Sequence, residues 1–128
     1  MLDIKKLKNI FKENPRIKLV YFFGSRTNGN AGPLSDYDFA IYLDEKDKKK
    51  MIEDKFRLHD KLSRCLKTDK VDVVILNITE SPELKYNAIK DGDLIFEREP
   101  FKILVEPRIL NEYFDFHIML SKYGLTKA

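Results

Sequence analysis

The stretch Gly24-Ser25-Arg26-Thr27-Asn28-Gly29-Asn30-Ala31-Gly32-Pro33-Leu34-Ser35-Asp36-Tyr37-Asp38 decides the fold. It joins two runs rich in β-branched and aromatic residues, Ile17–Phe23 (IKLVYFF) and Tyr37–Leu43 (YDFAIYL). Both runs read as strands. Glycine, proline, asparagine and serine crowd residues 24–36, which read as a loop. A glycine at a strand end lets a ligand approach the backbone closely. Ser25 adds a hydroxyl and a backbone N–H, and Arg26 adds a cation. If a helical turn follows Ser25, its open N–H groups make an anion site. A backbone of this kind can hold a phosphate.

Ser35-Asp36-Tyr37-Asp38 closes the loop. On a strand, residues i and i+2 face the same side, with Cα atoms roughly 6.5–7 Å apart. The carboxylates of Asp36 and Asp38 can therefore converge on one cation or two. Two metals about 3.5–4 Å apart are a common clamp for in-line attack on phosphorus. Without a cation or a shared proton, two such charges repel.

A third carboxylate, Asp72, interrupts the apolar run Val71–Leu76 (VDVVIL). That run reads as an interior strand, where a lone Asp is costly unless it is paired or bound to metal. If it lies beside Tyr37–Leu43, Asp72 can face Asp36 and Asp38 and accept a proton from an attacking hydroxyl. Each feature taken singly has a plainer explanation: a turn at Gly24-Ser25, a turn or cap at Ser35-Asp36, a pairing of Asp72 with Lys70. Together, in this order and at strand ends, they point to a metal–phosphate site. A P-loop is excluded, because Asn30 and Ala31 replace its Lys and Ser/Thr.

Working outward, residues 3–13 read as a helix capped by Asp3, with Ile4, Leu7, Ile10 and Phe11 on one face. Asn14-Pro15 ends it. Residues 46–67 carry a helical stripe through Ile52, Phe56, Leu62, Cys65 and Leu66. Ser81-Pro82-Glu83 starts another helix and Gly92 stops it. Leu94–Phe96 is a short strand. From Phe101 onward the spacing is helical, with Pro107 breaking or restarting it. The expected architecture is α/β: a small mixed β-sheet flanked by helices, in one domain over residues 1–128.

Composition narrows the function further. The chain has 128 residues, 24 Lys+Arg against 21 Asp+Glu, a net charge of +3, one cysteine and two histidines. A single Cys excludes a disulfide framework and a thiolate zinc site. Any metal would be a hard cation held by carboxylates. No apolar run spans a bilayer and no secretory signal is legible, so a cytoplasmic protein is expected. Lys5-Lys6-Lys8 and Lys48-Lys49-Lys50 read as solvated helix faces without interleaved aromatics, so direct nucleic-acid binding is not expected. Cys65 and His117 read as structural. The apolar segment Tyr113–Leu120 reads as core, with a homo-oligomer or partner contact as the alternative.

These residues resemble the polymerase-β-like nucleotidyltransferase superfamily. Its signature is Gly-Ser, then Asp-x-Asp about ten residues on, then a third Asp on a later strand. Here these are Gly24-Ser25, Asp36-Tyr37-Asp38 and Asp72. The spacing, the Val71-Asp72-Val73-Val74 strand and Ile89-Lys90-Asp91-Gly92-Asp93-Leu94-Ile95-Phe96 resemble the minimal nucleotidyltransferases of the MNT/MntA antitoxin type. The likeness covers roughly residues 17–97, leaving a C-terminal helical segment, 99–123, outside it.

The resemblance implies transfer of AMP from ATP with Mg²⁺, two ions being the usual number. Asp36, Asp38 and Asp72 would be metal ligands and catalytic residues. Gly24, Ser25, Arg26 and Ser35 would bind the nucleotide. The implied acceptor is a tyrosine hydroxyl on a HEPN-type toxin, whose RNase activity AMP silences. Arg108 and His117 stand too far apart to form a HEPN nuclease motif, so this chain would be the antitoxin. Thr27-Asn28 replaces the usual Ala-Arg, which puts phosphate binding on Arg26 or weakens it. The alternatives are a nucleotidyltransferase for a small molecule such as an aminoglycoside, and a non-catalytic antitoxin that masks its partner.

Overall fold

The computed structural model describes residues 3–23 and 37–124. Asp3 caps α1 (Ile4–Lys12), its side chain accepting from the Lys6 N–H at 3.2 Å. Strand β1 is Ile17–Phe23 and β2 is Tyr37–Leu43. Helix α2 (Lys48–Leu66) is capped by Asp47 and ends at Lys67, whose φ of 56° is left-handed. Strand β3 (Val71–Ile75) leads to α3 (Pro82–Asp91), where Ser81 accepts from the Leu84 N–H and Pro82 opens the first turn. A fixed φ and a missing donor cost nothing there. Strand β4 (Asp93–Glu97) and helix α4 (Phe101–Lys122) complete the described chain.

The strands form one mixed sheet in the order β3-β2-β1-β4. β1 runs antiparallel to β2 and to β4, whereas β2 and β3 are parallel. This bears out the expected mixed sheet flanked by helices. One sheet face carries Val20, Phe22, Phe39, Ile41, Val73 and Ile75, packed against Leu7 and Phe11 of α1 and Met51, Leu58 and Leu62 of α2. The opposite face carries Leu19, Tyr21 and Ala40, packed with Leu76 and with Ala88 of α3 and Val105 and Ile109 of α4. A register irregularity between Ile17 and Leu19 moves the two residues to opposite faces, against strict alternation.

Four expectations change. β3 is an edge strand rather than an interior one, and Asp72 is exposed. Its apolar look comes from Val71, Val73 and Ile75, which face α2. The buried stripe of α2 runs through Met51, Asp54, Leu58 and Leu62, leaving Ile52 44% and Phe56 66% exposed. Asp54 conceals that stripe from a hydrophobicity pattern, because burial of a carboxylate is allowed only by a partner. Arg16 supplies it through two bonds, Nε and Nη2 to the carboxylate oxygens at 2.8 and 2.7 Å. Pro107 neither breaks nor restarts α4, which is continuous. The carbonyl left without a donor is that of Ile103, a residue 77% exposed and open to water. Finally, Tyr113–Leu120 is not core, since only Val105 and Ile109 of α4 are buried.

Candidate active site

Asp38 is the second residue of β2 and Asp72 the second residue of β3. The parallel register pairs them directly, with Tyr37 opposite Val71 and Phe39 opposite Val73. Neighbouring strands lie about 4.8 Å apart, so the two carboxylates leave adjacent backbones on the same sheet face. It is the face covered by α3 and α4, because Ala40, two residues beyond Asp38, packs in that cluster. The Tyr37 N–H donates to the Lys70 carbonyl at 2.8 Å and ties the starts of both strands together.

On the other side of β2, Phe23 is the register partner of Asp38. Phe23, Asp38 and Asp72 thus form one row across three strands. Phe23 packs with the α3/α4 cluster and gives the row an apolar flank. Phe23 is also the residue immediately before Gly24-Ser25 in the chain. The sequence reading passed over it, although its place next to the glycine and antiparallel pairing with β2 were both available signals.

Gly92 sits against this end of β1. A Cβ there would lie 2.3 Å from the Ala88 carbonyl oxygen, 3.0 Å from Phe23 Cβ and 3.1 Å from the Phe22 carbonyl oxygen. Its φ is −82°, so close approach, not a left-handed cap, demands glycine. The α3–β4 turn is thereby pressed onto the last residues of β1.

Gly24, Ser25, Arg26, Ser35 and Asp36 lie outside the described residues. The sharing of a face by Asp36 and Asp38 lies outside them too. Of the three expected carboxylates, the register brings two together. Their donor set is oxygen only, which suits a hard divalent cation such as Mg²⁺. Among the described residues no group of three or more metal-ligating side chains occurs.

The profile described as "Polymerase beta, Nucleotidyltransferase" matches residues 5–101. The chain belongs to this nucleotidyltransferase family. It is 33% identical over 119 residues to a protein named Protein adenylyltransferase MntA from Aphanizomenon flos-aquae (strain 2012/KM1/D3), covering 88% of this chain and 73% of that protein. A crystal structure of a toxin–antitoxin with AMP-PNP contains a similar chain, with a TM-score of 0.78, 22% identity and 95% coverage of each chain. A complex of the tri-AMPylated Shewanella oneidensis HEPN toxin with an MNT antitoxin contains another, with a TM-score of 0.70, 20% identity and 94% and 91% coverage. At these identities the two structures speak for the fold.

Proposed function

We propose that this chain transfers AMP from ATP to a tyrosine hydroxyl of a HEPN-type toxin and so acts as its antitoxin. The observation that carries the reading is the direct pairing of Asp38 with Asp72 on adjacent parallel strands. The 33% identity to a protein adenylyltransferase supports the choice of AMP and of a protein acceptor. The fold shared with chains solved in toxin–antitoxin assemblies, one with AMP-PNP, supports the partner and the nucleotide.

In this reading Asp36, Asp38 and Asp72 hold Mg²⁺, which when bound offsets the charge of the triphosphate. Gly24, Ser25, Arg26 and Ser35 would bind the nucleotide, the first three through its β- and γ-phosphates. Asp72 takes the proton of the tyrosine hydroxyl. The tyrosine oxygen forms a bond to the α-phosphorus, the α–β phosphoanhydride bond breaks, and pyrophosphate leaves with the electron pair. The chain would act as a single catalytic domain in the cytoplasm.

The test is incubation of the full chain with a HEPN-type protein, ATP and Mg²⁺, reading added AMP by intact mass. Asp38→Asn and Asp72→Asn should each lower the rate by about 100-fold or more. Undiminished addition by both variants overturns the mechanism. The exposed apolar surface of α4 at Phe114, Ile118 and Met119 favours a second reading in which masking alone neutralises the partner. Full neutralisation by an Asp38→Asn/Asp72→Asn double variant that adds no AMP would establish that alternative.

A further inference from the structure

α4 has 22 residues, a length of about 33 Å, whereas its neighbour α3 has 10 residues and spans about 15 Å. The two helices pack antiparallel. Lys85 Nζ meets the Glu112 carboxylate at 2.8 Å, the Tyr86 and Tyr113 rings stack at 3.7 Å, and Glu83 stands 3.8 Å from His117. From Tyr86–Tyr113 to Glu83–His117 the partner on α4 advances as that on α3 recedes, and α3 begins at Pro82. Beyond His117 α4 runs past the start of its neighbour.

Exposure along the stripe of α4 that faces the domain follows from this. Val105 is 4% exposed and Ile109 6%, both seated on the sheet. Continuing in steps of three and four, the same stripe reaches Phe116, half-buried, then Met119 at 47% and Tyr123 at 67%. The surface that buries the stripe ends while the apolar pattern goes on. The outward side of the same half is apolar too, with Phe114 52% and Ile118 66% exposed. Between Tyr113 and Ser121 the only carboxylate is Asp115.

This half of α4 thus carries two exposed apolar stripes, Met119 with Tyr123 and Phe114 with Ile118, separated by the exposed Asn111, Asp115 and Lys122; apolar stripes of a helix are normally covered. A symmetric pairing of two such helices would cover one stripe of each and leave the other in water. A groove between helices of another protein covers both. α4 also lies on the sheet face toward which Asp38 and Asp72 point, so a protein gripping it stands on the carboxylate side.

We infer that residues 114–123 form a docking spur that inserts into an apolar groove of the helical acceptor protein. The identity of that acceptor as HEPN-type rests on the function proposed above. The spur supplies a surface that holds the acceptor. Ile118 and Met119 are its central contacts, and Phe114 and Tyr123 its ends.

The probe is a purified HEPN-type protein from the same genome, titrated against the full chain by calorimetry. Light scattering gives the mass of the free chain. Ile118→Asp and Met119→Asp alter exposed positions, so both variants should keep the unaltered chain's melting temperature. Each should weaken binding by about 30-fold or more, the range of a central interface contact. Phe56→Asp, at the other exposed aromatic patch on α2, should change it by less than about 3-fold. The inference is overturned by unchanged affinity in both spur variants, by loss with Phe56→Asp alone, or by no binding of the unaltered chain. A free-chain dimer that Ile118→Asp converts to monomer also overturns it, because the occupant is then a second copy. AMP addition by the unaltered chain with undiminished binding of both spur variants removes the spur and leaves the proposed function standing. Loss of binding in the spur variants with no AMP addition by the unaltered chain does the reverse.

Discussion

Arg16 and Asp54 show why a charged residue can belong to a core. The Asp54 side chain is fully buried, while that of Arg16 is 35% exposed. Burial pushes the Asp54 carboxyl up, but the bonds from Arg16 and Asn14 outweigh it and hold the group below its ordinary range. A carboxyl lowered on folding adds stability above its unfolded pKa of about 4, and that stability is lost as pH falls through the lowered value. Urea unfolding between pH 6 and pH 2.5 should therefore show a gap between the wild type and Asp54→Asn that narrows toward acid. A constant gap would contradict the ion pair's role. Removing either partner is not equivalent. Arg16→Ala strands a buried charge and should cost about 3 kcal/mol, whereas Asp54→Ala leaves an arginine that can reach water and should cost about 1–2 kcal/mol. Asp38 and Asp72 make the contrasting case at the same scale. Asp38 is half-buried and Asp72 is exposed. Its argument for function is its register with Asp38, not a cost of burial.

Among the elements, caps and turns were legible because their chemistry is local. Asp3 and Ser81 each accept from an N–H three residues ahead. Asn77 was not legible. Its amide donates to the Leu43 carbonyl at 2.7 Å and accepts from the Leu43 N–H at 3.0 Å, closing the end of β2 onto the residues after β3. Asn77→Ala removes both bonds and should cost about 1–3 kcal/mol, read as a lower urea midpoint with an unchanged m-value. Gly92 does end α3, but close approach rather than a left-handed cap is what requires glycine. Gly92→Ala places a methyl against backbone at 2.3 Å and cannot be absorbed by a side-chain rotation. The α3–β4 turn must move off Phe22 and Phe23, at a cost of about 1–3 kcal/mol. Because Phe23 immediately precedes Gly24-Ser25, the same variant should raise the KM for ATP more than it lowers kcat. An unchanged KM would show that the turn does not hold the start of the loop.

At the scale of the whole molecule, α4 is joined to the rest by few contacts for its length. Val105 and Ile109 are its buried residues, and polar ties and ring contacts to the sheet and to α3 assist them. The Tyr21 hydroxyl donates to Glu106 at 2.5 Å, and Lys85 pairs with Glu112 across α3 and α4. Burial first, and the Glu106 carboxylate next, push the Tyr21 phenol up, so it stays a donor over the working pH range. A Tyr21→Phe/Lys85→Met double variant should speed amide exchange through α4 while the amides of β1 and β2 keep their protection. Equal acceleration in the sheet would mean that α4 is part of one cooperative unit with it. Among the described residues no helix is long and apolar enough to cross a membrane.

The amino-acid sequence by itself determined the strand and helix order, most caps, the carboxylate signature and, through that signature, the family. These depend on residue chemistry over a few positions, or on a spacing that only a few folds use. The tertiary structure decided that β3 stands at the sheet edge, that Asp38 and Asp72 are register partners, that Asp54 is core and that the C-terminal half of α4 is surface. Each of those depends on which distant segment lies alongside: Arg16 reaches across 38 positions to Asp54, and Asn77 across 34 to Leu43. Hydrophobic pattern tells which residues seek cover. Only packing tells whether the chain has enough surface of its own to provide it.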